Sequence, residues 1–173
     1  MESGPPRPID LQVKKQADAV IFTDGFTPDP REAVIFDRRL LAPRQFTAIV
    51  PAALKETWLV RKTQIVPVEM VAPIVALFTF KDRVRNSDLI LLIDSESVEG
   101  ALIKGYSSKT DVCKLVSVFW ELALELRVRV FIDRISTDAN PADWPSRGDL
   151  ERGARAGWTT IEPVWPPALR HSR

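Results

Sequence analysis

Between Asp88 and Asp94 the chain places five consecutive apolar residues, Leu89-Ile90-Leu91-Leu92-Ile93. The run is short for a helix and apolar at odd and even positions alike, so it reads as a strand covered on both faces. Such a strand needs a layer above it and a layer below it. In an α/β architecture helices supply those layers. The rest of the chain has to be arranged around this strand.

Upstream, Ala19-Val20-Ile21-Phe22-Thr23 is a β-branched run that stops at Asp24-Gly25, a strand followed by a turn. Glu32 to Arg38 and Arg44 to Val50 are two more strand candidates, and three strands with short connections predict an antiparallel meander. The period then changes. Pro67 to Phe80 is apolar at nearly every position and reads as helix, with Pro73 expected to kink it or to mark its true start. Ser95 to Lys104 predicts a second helix, closed by Gly105. Asp111 to Leu126 carries apolar residues at Val112, Leu115, Val116, Phe119, Leu122, Ala123 and Leu126, which is helical spacing. Val128, Val130 and Ile132 alternate with polar neighbours, as in a half-buried strand, and Asn140-Pro141-Ala142-Asp143 opens a short helical turn. The order β-β-β-α-β-α-α-β-α gives a mixed sheet with helices on its faces, the Leu89 to Ile93 strand running parallel to the first.

Residues 1–17 are polar and proline-bearing and are expected to be a flexible lead-in. Residues 18–149 form the expected domain. Residues 150–173 carry Pro, Trp and Arg without a helical or strand period and are expected to be an extended tail, Trp158 packing back onto the core. No run of apolar residues is long enough to span a membrane, and the N-terminus lacks a signal-peptide pattern, so an intracellular protein, cytoplasmic or nuclear, is expected.

Composition removes several kinds of chemistry. The one cysteine, Cys113, excludes an internal disulfide and a cysteine-based zinc site, and is expected to be buried and inert. The one histidine, His171, stands near the C-terminus, which removes Ser-His-Asp and Cys-His arrangements. Catalysis is left to carboxylates, to Lys or Arg, or to metal ions held by oxygen. The net charge of +1 is not the basic footprint of a dedicated nucleic-acid binder.

Four acids stand out by position. Asp24 ends the first strand, Glu69 lies early in the first helix, Asp94 ends the Leu89 to Ile93 strand, and Asp143 lies in the turn after the last strand. Parallel neighbours would bring Asp24 and Asp94 out at one sheet edge, where ligands of such sheets bind, and Glu69 would project over it. Clustered carboxylates repel unless cations neutralise them. Oxygen-only donors favour Mg²⁺ or Mn²⁺, and two such ions roughly 4 Å apart can drive phosphodiester cleavage.

Each acid also has a plainer reading. Thr23-Asp24-Gly25 is an ordinary strand-end turn. Asp94 is placed to help cap the next helix, and Asp143 completes a capping arrangement headed by Asn140 and Pro141. Glu69, set among Val68, Met70, Val71 and Ala72, has the weakest structural reason to be there. Ser95 and Ser97 stand near a helix N-terminus, either as caps or as contacts for a phosphate or sugar. Lys81, Arg83 and Arg85 form a basic stretch, either facing a nucleic-acid backbone or simply solvated. Trp58 and Trp120 read as packing residues. Asp133, Asp138 and Asp149 are the alternatives to Asp143 if the register shifts.

Thr23-Asp24-Gly25, Val68-Glu69-Met70-Val71-Ala72 and Leu92-Ile93-Asp94-Ser95 resemble three motifs of the ribonuclease H family, and Ile135 to Arg147 resembles the fourth. More narrowly, Asn140-Pro141-Ala142-Asp143 followed by Pro145-Ser146-Arg147, together with Ala101 to Ser107, is similar to the ribonuclease H domains of retroelement reverse-transcriptase polyproteins. The resemblance implies a five-stranded mixed sheet in the order 3-2-1-4-5 with helices on both faces. It implies two-metal hydrolysis, by two Mg²⁺ or Mn²⁺ ions, of the RNA strand in an RNA–DNA hybrid. Asp24, Glu69, Asp94 and Asp143 would be the metal ligands. An attached polymerase domain would be a partner. Many members of the family place a histidine before the last acid; here Thr137 and Asp138 stand in that loop. Two other readings are a non-catalytic ribonuclease H-like module that positions nucleic acid or a polymerase, and a related nuclease acting on DNA.

Overall fold

The computed structural model describes residues 17–25, 31–143 and 149–170. Strands β1 (Ala19–Gly25), β2 (Arg31–Asp37) and β3 (Arg44–Ala48) form the antiparallel meander. A short helix α1 (Ala52–Lys55) leads to α2 (Ile65–Thr79) and the single turn α3 (Lys81–Val84). Then come β4 (Asp88–Ile93), α4 (Glu96–Lys104), α5 (Thr110–Glu125) and β5 (Arg129–Arg134). The order across the sheet is β5-β4-β1-β2-β3, with one further strand beyond β3. β4 pairs parallel with both β1 and β5.

One face of the sheet is dry. Ala19, Ile21, Ala33, Ile35, Phe46, Leu89 and Leu91 point into a core shared with α2, α4 and α5. α2 is apolar nearly all round, which is what a helix buried in that core requires. Pro73 lies inside it and is buried, and the helix begins before Pro67, so neither proline marks its start. Pro73 cannot donate to the Glu69 carbonyl four residues earlier, so the turn carrying Glu69 lacks that closing bond. α5 buries a single stripe, with Val112, Leu115, Val116, Phe119, Leu122 and Ala123 inside. α4 ends at Gly105, whose φ of 74° is the left-handed closure expected for it.

The second face is covered less completely than the sequence predicts. Leu89, Leu91 and Ile93 of β4 are buried, but Ile90 and Leu92 are only half-buried, and Phe131 on the edge strand β5 is exposed. Cover on this side comes from the C-terminal segment. The extended-tail expectation for 150–173 is corrected over the described residues. Helix α6 (Leu150–Arg155) packs Gly153 against the Gln45 side chain, and Trp158 meets Phe36 edge-on at 5.7 Å. A two-residue strand β6 (Thr159–Thr160) joins β3 in parallel, making six strands where five were expected. Leu169 then reaches the main core. The reason the sequence hides this is length: a six-residue helix and a two-residue strand are too short to show a period. The lead-in expected for residues 1–17 lies outside the described residues except for Ala17.

Candidate active site

The parallel register of β1 on β4 pairs Ala19 with Leu89 and runs in step to Thr23 with Ile93. The next residue of each strand is Asp24 and Asp94. Adjacent strands lie about 4.8 Å apart, so these two carboxylates leave the sheet side by side. Asp24 is buried, and its Oδ1 accepts the Gly25 N–H at 2.6 Å. Asp94 is half-buried. Burial, then the neighbouring Asp24, and to a smaller extent Asp143, push Asp94 up to about 6; its own backbone N–H and the Thr137 hydroxyl act in the opposite direction. The Thr137 contact is long, 3.4 Å from Oγ1 to Asp94 Oδ2.

Glu69 arrives from above the sheet. Gly25 faces α2 so closely that an added Cβ would lie 2.9 Å from the Glu69 Cα. This close approach sets the second turn of α2 over the end of β1. The Ser95 hydroxyl, one residue past Asp94, donates to Glu69 Oε2 at 2.6 Å. Ser95 stands at the N-cap position of α4 but makes no capping bond, so its capping reading gives way to this one. Ser97 follows in the first turn of α4 and is exposed.

Asp143 is brought in by a turn of single-turn 3₁₀ geometry over Thr137–Ala139 and the buried Asn140. Asn140 Oδ1 accepts from the Ala142 N–H at 3.1 Å, so the cap of this turn is Asn140 itself. Asn140 Nδ2 donates to the Thr23 carbonyl at 3.0 Å. All four acids named from the sequence thus reach one edge of the sheet. Asp133 lies within β5 and is exposed, Asp138 is exposed in the 3₁₀ turn, and Asp149 caps α6 through the Arg152 N–H.

The donor set at this edge is oxygen only, which fits a hard divalent cation. Among the described residues, however, no three His, Cys, Asp or Glu side chains are already gathered to hold an ion. The hydrogen bonds show where the carboxylates turn instead. Glu69 is drawn to Ser95 and Asp24 to its own turn.

Other sequence candidates lie elsewhere. Lys81, Arg83 and Arg85 follow the C-terminal end of α2, roughly 18 Å along the axis from Glu69. The Arg83 carbonyl there accepts from Arg39. Trp58 is a core residue, and Trp120 stacks edge-on against Phe119 while its indole N–H donates to the Leu102 carbonyl. Cys113 is half-buried rather than buried. Sequence reasoning did not find the long-range roles of Asn140, Ser95 and Gly25. Only the Gly25 contact had a signal, a glycine directly after a strand-end acid.

No protein-family model and no curated protein sequence matches the chain. Solved structures do match it. The N-terminal RNase H domain of a Mycobacterium tuberculosis protein, solved fused to maltose-binding protein, aligns with a TM-score of 0.56 at 18% identity, over 82% of this chain and 99% of that one. RNase H1 from the halophilic archaeon Halobacterium salinarum aligns at 0.55 and 19%, over 79% and 98%. An RNase H1 isolated from compost by a metagenomic approach aligns at 0.56 and 17%, again over 79% and 98%. At such identities the likeness is one of fold: the chain has the mixed α/β sheet of RNase H folds.

Proposed function

We propose that the chain is a metal-dependent endonuclease of ribonuclease H type that hydrolyses the RNA strand of RNA–DNA hybrids, and that it works within a retroelement reverse transcriptase. The observation that carries this reading is the convergence of Asp24, Glu69, Asp94 and the turn bearing Asp143 on one edge of an RNase H-like sheet. The retroelement context rests on the sequence resemblance of Asn140 to Asp143 and of Pro145-Ser146-Arg147, the latter outside the described residues.

In this reading Asp24, Glu69, Asp94 and Asp143 would hold two Mg²⁺ ions, with Mn²⁺ as the substitute, and the bound ions would supply water activation and charge neutralisation at the scissile phosphate. The chain's own part is positional. The Ser95 hydroxyl fixes the Glu69 carboxylate, Thr137 bears on Asp94, and the close fit of Gly25 under α2 holds the β1 end against Glu69. Ser95 and Ser97 open α4, whose N-terminal amides favour a phosphate, so the substrate backbone runs past them.

A labelled RNA–DNA hybrid incubated with the protein and Mg²⁺ tests this. Cleavage of the RNA strand, lost in Asp94→Asn, is the expected result. Intact hybrid, or cleavage unchanged in Asp94→Asn, refutes it. Duplex DNA and double-stranded RNA in parallel lanes separate the hybrid nuclease from a DNA-acting relative. A second reading, a non-catalytic module that positions hybrid or polymerase, draws on the net charge of only +1 and on Thr137 and Asp138 standing where many family members carry a histidine. Hybrid retention without turnover or Mg²⁺ affinity would select it.

A further inference from the structure

Asn140 is 1% exposed, and both ends of its amide are used. A cap needs only the oxygen, and Oδ1 serves there for the Ala142 N–H. The amide nitrogen spends its hydrogen bond elsewhere, on the Thr23 carbonyl, 117 residues away in sequence and one residue before Asp24. The backbone carbonyl of Asn140 accepts the Asp143 N–H at 3.0 Å, and Ala142 between them is fully buried. One residue therefore ties the end of β1 to the turn that delivers the last acid. An exposed serine would cap the turn equally well. Burying a carboxamide is costly unless both halves are paired, and the pairing here reaches across the sheet edge.

We infer that Asn140 is a positioning residue of the proposed site, setting Asp143 against Asp24 and Asp94 by anchoring its turn to the end of β1. The inference rests on the nuclease reading for its activity readouts, and on hydrogen exchange for the tether itself. Asn140→Ser keeps a capping oxygen but is too short to reach the Thr23 carbonyl. Asn140→Asp keeps the size and the acceptor and lacks the donor.

Both variants are expected to melt cooperatively. Their kcat on hybrid falls on the order of 10- to 100-fold while KM stays within about twofold, as for partners that orient metal ligands. Raising Mg²⁺ recovers part of the lost rate. Calorimetry without nucleic acid shows weaker Mg²⁺ binding. Amide exchange quickens at Ala142 and Asp143 and not in α5. Wild-type kcat and Mg²⁺ affinity in both variants overturn the inference. So does a loss of protection in α5 equal to that at Asp143, which marks Asn140 as a stabiliser of the fold alone. If the unmutated chain neither cleaves hybrid nor binds Mg²⁺, the nuclease reading fails by itself. The exchange comparison then still decides the tether: unchanged protection at Asp143 refutes it, and faster exchange there supports it.

Discussion

An ideal Cβ on Gly25 would sit 2.9 Å from the Glu69 Cα and 3.0 Å from its Cγ, closer than carbon atoms approach. The nearest of these atoms is backbone, so it cannot swing aside as a side-chain tip can. Gly25→Ala is expected to push α2 off the end of β1, at a cost of about 1–3 kcal/mol in urea denaturation. It should lower hybrid cleavage more than the stability loss explains, because Glu69 moves with the helix. A variant with parental stability and rate would show that the close approach is idle. Asp94 gives a second test. Its folded-state value of about 6 lies above the ordinary 3.8, so between those values the folded chain holds more proton than the unfolded one. Stability contributed by the proton is full below the unfolded value and is lost as pH rises through the folded one. Asp94→Asn removes that loss. In metal-free buffer at neutral pH it should be more stable than the parent by about 1–2 kcal/mol, after discounting for solvent. Near pH 3 the two should coincide. A gain that persists unchanged in acid would disprove the linkage. Asp24 and Asp94 could be picked out in the sequence because both end apolar strands. The Asn140 and Ser95 bonds could not, because they join segments with no local pattern between them.

At the scale of elements, α5 is held at its start by an acid that is itself buried. Asp111 is 5% exposed and accepts from the Val112 and Leu59 N–H groups and from Arg61 Nη2. Burial raises its pKa, but the bonds from Arg61, Leu59 and Val112 outweigh that, and the carboxyl sits below the usual range. Its contribution is therefore present above the unfolded value and disappears as pH falls through the lowered folded one. Asp111→Ala should cost about 3 kcal/mol at neutral pH, since it strands the half-buried Arg61, and the gap to the parent should close in acid. A constant gap across that range would refute the assignment. The C-terminal segment is tested by Leu169→Ala. Leu169 is 3% exposed in the main core, so the loss should be about 2–4 kcal/mol. A neutral substitution would restore the extended-tail reading of this segment. α2, α5 and β4 were visible in the sequence because burial on one face or on all faces writes a period into ten or more residues, or a solid apolar run. α6, β6 and the Pro167–Leu169 turn are fixed by what they land on, Gln45, β3 and the core, and a partner distant in sequence leaves no local trace.

Across the whole molecule both ends of the sheet carry acids. At the end opposite the site, Asp18 pairs with Arg38, Asp37 with Arg39 and Asp88 with Arg129. At the site edge the Ser95 hydroxyl donates to Glu69 and the Thr137 hydroxyl to Asp94, and Arg134 pairs with Glu96 at the start of α4. With a net charge of only +1 over the chain, the field at that edge is a matter of placement rather than of total. An ion that binds the assembled edge and ignores the same acids dispersed in the unfolded chain stabilises the fold by mass action. At a Mg²⁺ concentration tenfold above its dissociation constant the gain is about 1.4 kcal/mol. For a chain of this size that raises the melting temperature by about 3–6 °C. Sodium chloride at matched ionic strength should reproduce little of it, because screening relieves repulsion without occupying a site. Asp94→Asn should melt at the same temperature with and without Mg²⁺, having already lost the charge the ion would neutralise. If Mg²⁺ and matched sodium chloride shift the parent equally, the edge attracts cations only diffusely, and the two-metal nuclease loses its physical basis.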